Sequence, residues 1–128
     1  MERRIANRVD LKIGVCERRV GRSALCQTEN ISNTGILIAK VFDRLYRPAC
    51  KSWLEFSLPG SDQILEVRSQ VERQFRRDRY HFLAFSFQTI APSHRRLIGD
   101  YISGVLSRRD SRKTPVDLRG LIPSWTAC

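Results

Sequence analysis

A chain of 128 residues has the material for one domain and one core, and 41% apolar residues predict a packed fold rather than disorder. The formal net charge of +10 points to an anionic partner, which charge alone leaves open among nucleic acid, nucleotide, a membrane surface and an acidic protein. No apolar run is long enough to span a bilayer, the charged N-terminus carries no hydrophobic signal segment, and a cytoplasmic location is expected.

Residues 1–8 are polar and basic and read as an exposed arm, carrying Arg3, Arg4 and Arg8. From Val9 the pattern changes. Val9, Leu11, Ile13 and Val15 alternate with polar or small residues, the period of a half-buried strand. A turn over Arg19-Val20-Gly21-Arg22 leads to a second strand, Ser23 to Glu29. Asn30 to Thr34 is turn-rich, and Gly35 to Ala39 is a short buried strand. Residues 40–51 read as a loop. Leu54, Phe56 and Leu58 share one face of a fourth strand, and Pro59-Gly60-Ser61-Asp62 is a turn. Leu65, Val67, Ser69, Val71, Arg73 and Phe75 then fall on one face of a long strand, so that Phe75 counts as core with Phe56, Phe85 and Phe87. Arg76-Arg77-Asp78-Arg79 makes a charged hairpin connection, and Leu83, Phe85 and Phe87 mark the strand returning from it.

After Pro92 the period becomes helical. Leu97, Ile98, Tyr101, Ile102, Val105 and Leu106 form one apolar face, with Ser93 as the expected cap. Residues 110–128 read as a tail whose Leu118, Leu121, Ile122 and Trp125 favour docking over full solvation. The predicted class is all-β: a six-stranded antiparallel barrel over residues 9–109, with a C-terminal helix across one open end or edge.

The chemistry gathers in two stretches. Guanidiniums bond phosphate and the O6/N7 edge of guanine bidentately, which is what Arg3, Arg4 and Arg8 offer. Asn30-Ile31-Ser32-Asn33-Thr34-Gly35 offers an amide and a hydroxyl for the rest of a base edge. Its glycine lets the backbone come close to a ligand or take a positive φ. Together they describe a site for a phosphorylated guanine compound. Cys16, Cys26, Cys50 and Cys128 contain no CxxC pair, and with only His81 and His94 beside them no metal site is expected; the thiols are expected to be reduced. Neither histidine is arranged for catalysis, and no GxxxxGK loop occurs. Aromatic residues that fall on the core face argue against a nucleic-acid groove.

These residues carry a resemblance. RxxxR, here Arg4 to Arg8, followed after a strand hairpin by D/N-x-S-x-x-G, here Asn30 to Gly35, resembles the PilZ domain. The Leu58-Pro59-Gly60 turn, long hairpin and final helix follow in that family's order, over roughly residues 2–106. The resemblance implies a non-enzymatic bacterial receptor for cyclic di-GMP. Its ligand would be held by Arg3, Arg4, Arg8, Asn30, Ser32, Gly35 and Arg73, the last in place of an aromatic residue some members carry. Binding would order the arm and regulate a separate downstream protein, in motility, adhesion or biofilm control. An arginine directly before RxxxR, here Arg3, implies two ligand molecules per chain. A nucleic-acid-binding barrel and an adaptor that binds no nucleotide are the alternatives.

Overall fold

The computed structural model describes residues 7–19, 21–46 and 50–111, with side chains up to residue 108. The arginine arm before Asn7 and the chain after Ser111, including the expected docking residues Leu118 to Trp125, lie outside the described residues. The elements are β1 (Val9–Asp10), β2 (Gly14–Arg19), β3 (Arg22–Ile31), β4 (Gly35–Val41), β5 (Lys51–Phe56), β6 (Leu65–Arg77), β7 (Tyr80–Ile90) and α1 (Pro92–Ser111).

Every strand pairing is antiparallel. The order β3-β2-β5-β6-β7-β4 closes on itself through a β3–β4 pairing, and β1 is added beside β3. This is the closed six-stranded barrel with a C-terminal helix that the alternation predicts. Closure follows from strands with one apolar face each, because rolling up the sheet buries those faces together and leaves no free edge. Val15, Ile36, Ile38, Leu54, Phe56, Leu65, Val67, Leu83 and Phe85 fill the interior. Ile98 and Ile102 of α1 join the same core, with Leu97, Tyr101, Val105 and Leu106 packed at its margin.

Several details depart from the periodicity. The first strand is split, because the buried Thr28 hydroxyl takes over the backbone there: it accepts from the Ile13 amide at 2.9 Å and donates to the Leu11 carbonyl. Ser93 is not the helix cap, since α1 already begins at Pro92, a residue suited to the first helical position. The long β6–β7 hairpin carries register shifts at Arg68/Ser69 and at Val71/Arg73. Each bulge adds one residue and reverses which side chains face inward. Val71 still lies opposite the buried Phe85, but Arg73 lies opposite Ala84 and Phe75 opposite Phe82. Phe75 is therefore not core. It stacks on Phe82 outside the barrel, with centroids 5.0 Å apart and planes 6° from parallel. Cys26 and Cys50 are unbridged, whereas Cys16 is disulfide-bonded, against the expectation of reduced thiols.

The barrel also contains a charge that no pattern announced. Glu17 points inward from β2 and is fully buried. Its carboxylate accepts from the Tyr46 hydroxyl at 2.7 Å and from Ser52 Oγ at 3.0 Å. Those bonds stand in for lost water. They also tie residues 42–46, through Tyr46, to the barrel.

Candidate functional site

The turn between β3 and β4 is built by Ser32. Its amide donates to the Gly35 carbonyl at 2.8 Å, and its Oγ accepts from the amides of Thr34 at 3.2 Å and Gly35 at 3.1 Å. The Thr34 carbonyl is held by the Phe87 amide at 2.9 Å, which fixes the turn against β7. Ser32 is only 5% exposed. Its hydroxyl is spent inside the turn rather than offered to a base, so it shapes the site without lining it with a free donor.

Gly35 has a second reason to be glycine. A Cβ there would sit 2.4 Å from the Phe85 carbonyl oxygen, closer than real Cβ atoms come. Its φ is not positive; among the described glycines only Gly21 and Gly60 take that region. The positive φ expected from the sequence is not taken, and the close approach seen is to the neighbouring strand β7.

Beside this turn lies an open recess of ≈ 430 Å³ on the outer face of the barrel. Arg8, Asn30, Ser32, Thr34, Gly35, Glu72 and Arg73 line it, over a floor that includes Leu37 and Ala84. Arg8 is brought there by β1, whose Val9 and Asp10 pair with Ile31 and Asn30. Burial of Val9 and Ile31 therefore holds the end of the arm next to the turn. Arg73 is brought there by the β6 bulge, which turns it outward next to Ala84, with its guanidinium 5.9 Å from the Phe75 ring centre. The structure thus brings together Arg8, Asn30, Ser32, Gly35 and Arg73, while Arg3 and Arg4 lie outside the described residues.

Thr34, Glu72 and Ser86 were not anticipated. Thr34 sits inside the turn motif and could have been read from it. Glu72 is the residue of the second bulge, and Ser86 Oγ donates to its carboxylate. Periodicity does not announce a bulge, so nothing local pointed to Glu72. Cations from two directions, one carboxylate, an amide and an apolar floor suit a ligand with anionic groups and flat rings bearing both donors and acceptors. Among the described residues no cluster of His, Cys, Asp and Glu could hold a metal ion, and no helix is long and apolar enough to cross a membrane.

A closed antiparallel barrel with a polar recess on its outer wall, where Arg8 meets the β3–β4 turn, defines the class as a small β-barrel closed by a C-terminal helix. Within that class, the PilZ domain model matches residues 2–104, and the chain belongs to this family. Solved structures agree on the fold. The Bacillus subtilis inhibitor of motility, MotI/DgrA, superposes with a TM-score of 0.73 at 18% identity, covering 89% of this chain and 55% of that one. The PilZ domain of Escherichia coli YcgR with c-di-GMP gives 0.65 at 13% identity, over 88% of this chain and 100% of that domain. The K. pneumonia MrkH–c-di-GMP complex gives 0.69 at 16%, over 89% and 56%. The chain therefore spans about half of MotI and MrkH and the whole of the isolated YcgR domain. No curated protein matches it in sequence.

Proposed function

We propose that this chain is a non-enzymatic receptor for cyclic di-GMP, the ligand named in the YcgR and MrkH structures. The observation that carries the reading is the meeting of Arg8, Asn30 and Arg73 at one recess beside the Ser32–Gly35 turn. The two guanidiniums suit phosphate oxygens and the guanine Hoogsteen edge. The Asn30 carbonyl and the Glu72 carboxylate suit the N–H groups on guanine's opposite edge. Leu37 and Ala84 offer the base an apolar floor.

Residues 1–8 then act as an arm that brings Arg3 and Arg4 over the ligand bound to the 9–109 unit, and the tail from 110 remains for other contacts. A recess of ≈ 430 Å³ lies toward the small end of the range for ligand sites, so a second stacked molecule would lie outward, under the arm. Arg3 supplies the added guanidinium for its phosphate, giving two ligands per chain. Ordering of the arm changes the surface a downstream protein reads, in the cytoplasm.

Calorimetric titration with cyclic di-GMP tests this. Arg8→Ala removes a charge-assisted contact of about 1.5–3 kcal/mol, hence about 10- to 100-fold in Kd, while melting stays at the parent value. Parent-like affinity in Arg8→Ala would place the ligand elsewhere. The steep salt dependence expected of many phosphate contacts, seen with oligonucleotide and without saturable cyclic di-GMP binding, would favour nucleic acid instead.

A further inference from the structure

The end of the barrel away from the recess has its own surface chemistry. Of the six large apolar side chains exposed among the described residues, four lie there: Val41, Phe42, Leu45 and Tyr80. The β4–β7 register sets Val41 opposite Tyr80. The Phe42 amide donates to the Arg79 carbonyl at 2.7 Å, joining the 42–46 loop to the β6–β7 hairpin tip.

Leu45 is 81% exposed, yet it is not on a slack loop. Asp43 caps the turn, taking the Leu45 amide on its carboxylate at 2.9 Å and the Tyr46 amide on its carbonyl at 3.0 Å. Tyr46, the next residue, is buried and bonded to Glu17. On the other side, Phe42 lies under the Arg76 guanidinium, 3.8 Å from its ring centre. An apolar side chain held out between two anchored neighbours loses little further freedom on contact, which is the property of a binding anchor.

The rim is basic. Arg44 adjoins Leu45, Arg76 and Arg79 stand at the hairpin, and Arg22 and Lys40 share with Leu45 and Tyr46 a concavity of ≈ 600 Å³. Asp43 and Asp78 are the neighbouring acids, and Asp43 is engaged in the turn.

We infer that this surface docks an acidic segment of a partner protein, one that alternates carboxylates with aliphatic or aromatic side chains. The apolar anchors provide contact, and the cations steer approach and fix register. The chemistry disfavours other occupants. A second copy would set like-charged arginine rims against each other across a two-fold axis. Aliphatic Leu45 and Val41 give nucleic-acid bases no stacking platform.

The test uses the full chain and three synthetic peptides: one of alternating Glu and Leu, one with Lys for Glu, and one with Gln for Leu. Fluorescence anisotropy should show saturable binding of the Glu/Leu peptide alone, with amide NMR shifts confined to residues 40–46 and 76–81. Leu45→Glu and the pair Arg76→Glu with Arg79→Glu should each weaken it by about tenfold or more, as hot-spot anchors do. The reversed pair should gain affinity for the Lys/Leu peptide. All these side chains are exposed and lie away from the recess, so cyclic di-GMP binding should stay at the parent value. Leu45→Glu should melt like the parent, and the arginine pair should lose no more stability than the exposed Arg76–Phe42 stack supplies. Equal binding of the Glu/Gln peptide, shifts centred elsewhere, or indifference to Leu45→Glu would overturn the proposal. So would a Leu45-dependent dimer in sedimentation, or saturable Leu45-dependent binding to phosphatidylserine vesicles without peptide binding.

Discussion

Gly35→Ala isolates the close approach of β4 to β7. Because Gly35 has no positive φ, the new methyl group meets no backbone strain, and its whole effect is steric. The methyl would stand 2.4 Å from the Phe85 carbonyl oxygen, an atom fixed in the β4–β7 ladder where Gly35 pairs with Ser86. One strand must move. Overpacking of this kind costs about 1–3 kcal/mol, and loss of glycine's freedom in the unfolded chain offsets about 0.4–1 kcal/mol of it. A net loss of about 1–2 kcal/mol corresponds to a lower melting midpoint by about 3–8 °C for a domain of this size. The same shift moves the Gly35 carbonyl and amide away from Ser32, so the turn that carries Asn30 and Thr34 is displaced and cyclic di-GMP binding should weaken by about tenfold or more. Urea unfolding and calorimetry on one preparation read both effects. Gly60→Ala is the control: its φ is +82 with open space around it, so it should lose stability through backbone strain, by about 1–2 kcal/mol, and keep its affinity. A Gly35→Ala protein with parent stability and parent affinity would refute the steric account.

Arg3→Leu should shift the calorimetric endpoint from two ligands per chain toward one, with binding retained through Arg4 and Arg8; an endpoint of one for the parent would remove the role given to Arg3. Tyr46→Phe leaves the buried Glu17 carboxylate short of a donor and should cost about 1–3 kcal/mol in urea unfolding, without loss of cyclic di-GMP affinity. His81 is held below the usual histidine value of 6.5, first by burial and then by the nearby Lys40 charge. A lowered folded-state value means the unfolded chain takes up the proton more readily, so stability present above about pH 6.5 should decline as pH falls through that value, and His81→Gln should flatten this slope. An unchanged slope in His81→Gln would assign acid sensitivity elsewhere.

The sequence by itself determined the class of fold and most of its order. Alternation located the strands, the change to helical period after Pro92 located α1, and the arginine arm with the Asn30–Gly35 turn identified the family that matches residues 2–104. These features are local, since each depends on residues a few positions apart. The tertiary structure alone decided where the described side chains of the recess sit and what they touch. Ser32 faces the inside of its turn because the amides of Thr34 and Gly35 fold back on its hydroxyl. Gly35 is required by a carbonyl fifty residues away in β7. Arg73 and Glu72 reach the recess, and Phe75 leaves the core, because one extra residue in β6 reverses the parity from which the facing was counted. Period-two reasoning holds only while the count of residues is unbroken, and a bulge is a property of two strands together. The buried Glu17 has the same origin, because its partners Tyr46 and Ser52 come from distant chain and only barrel closure places them beside it.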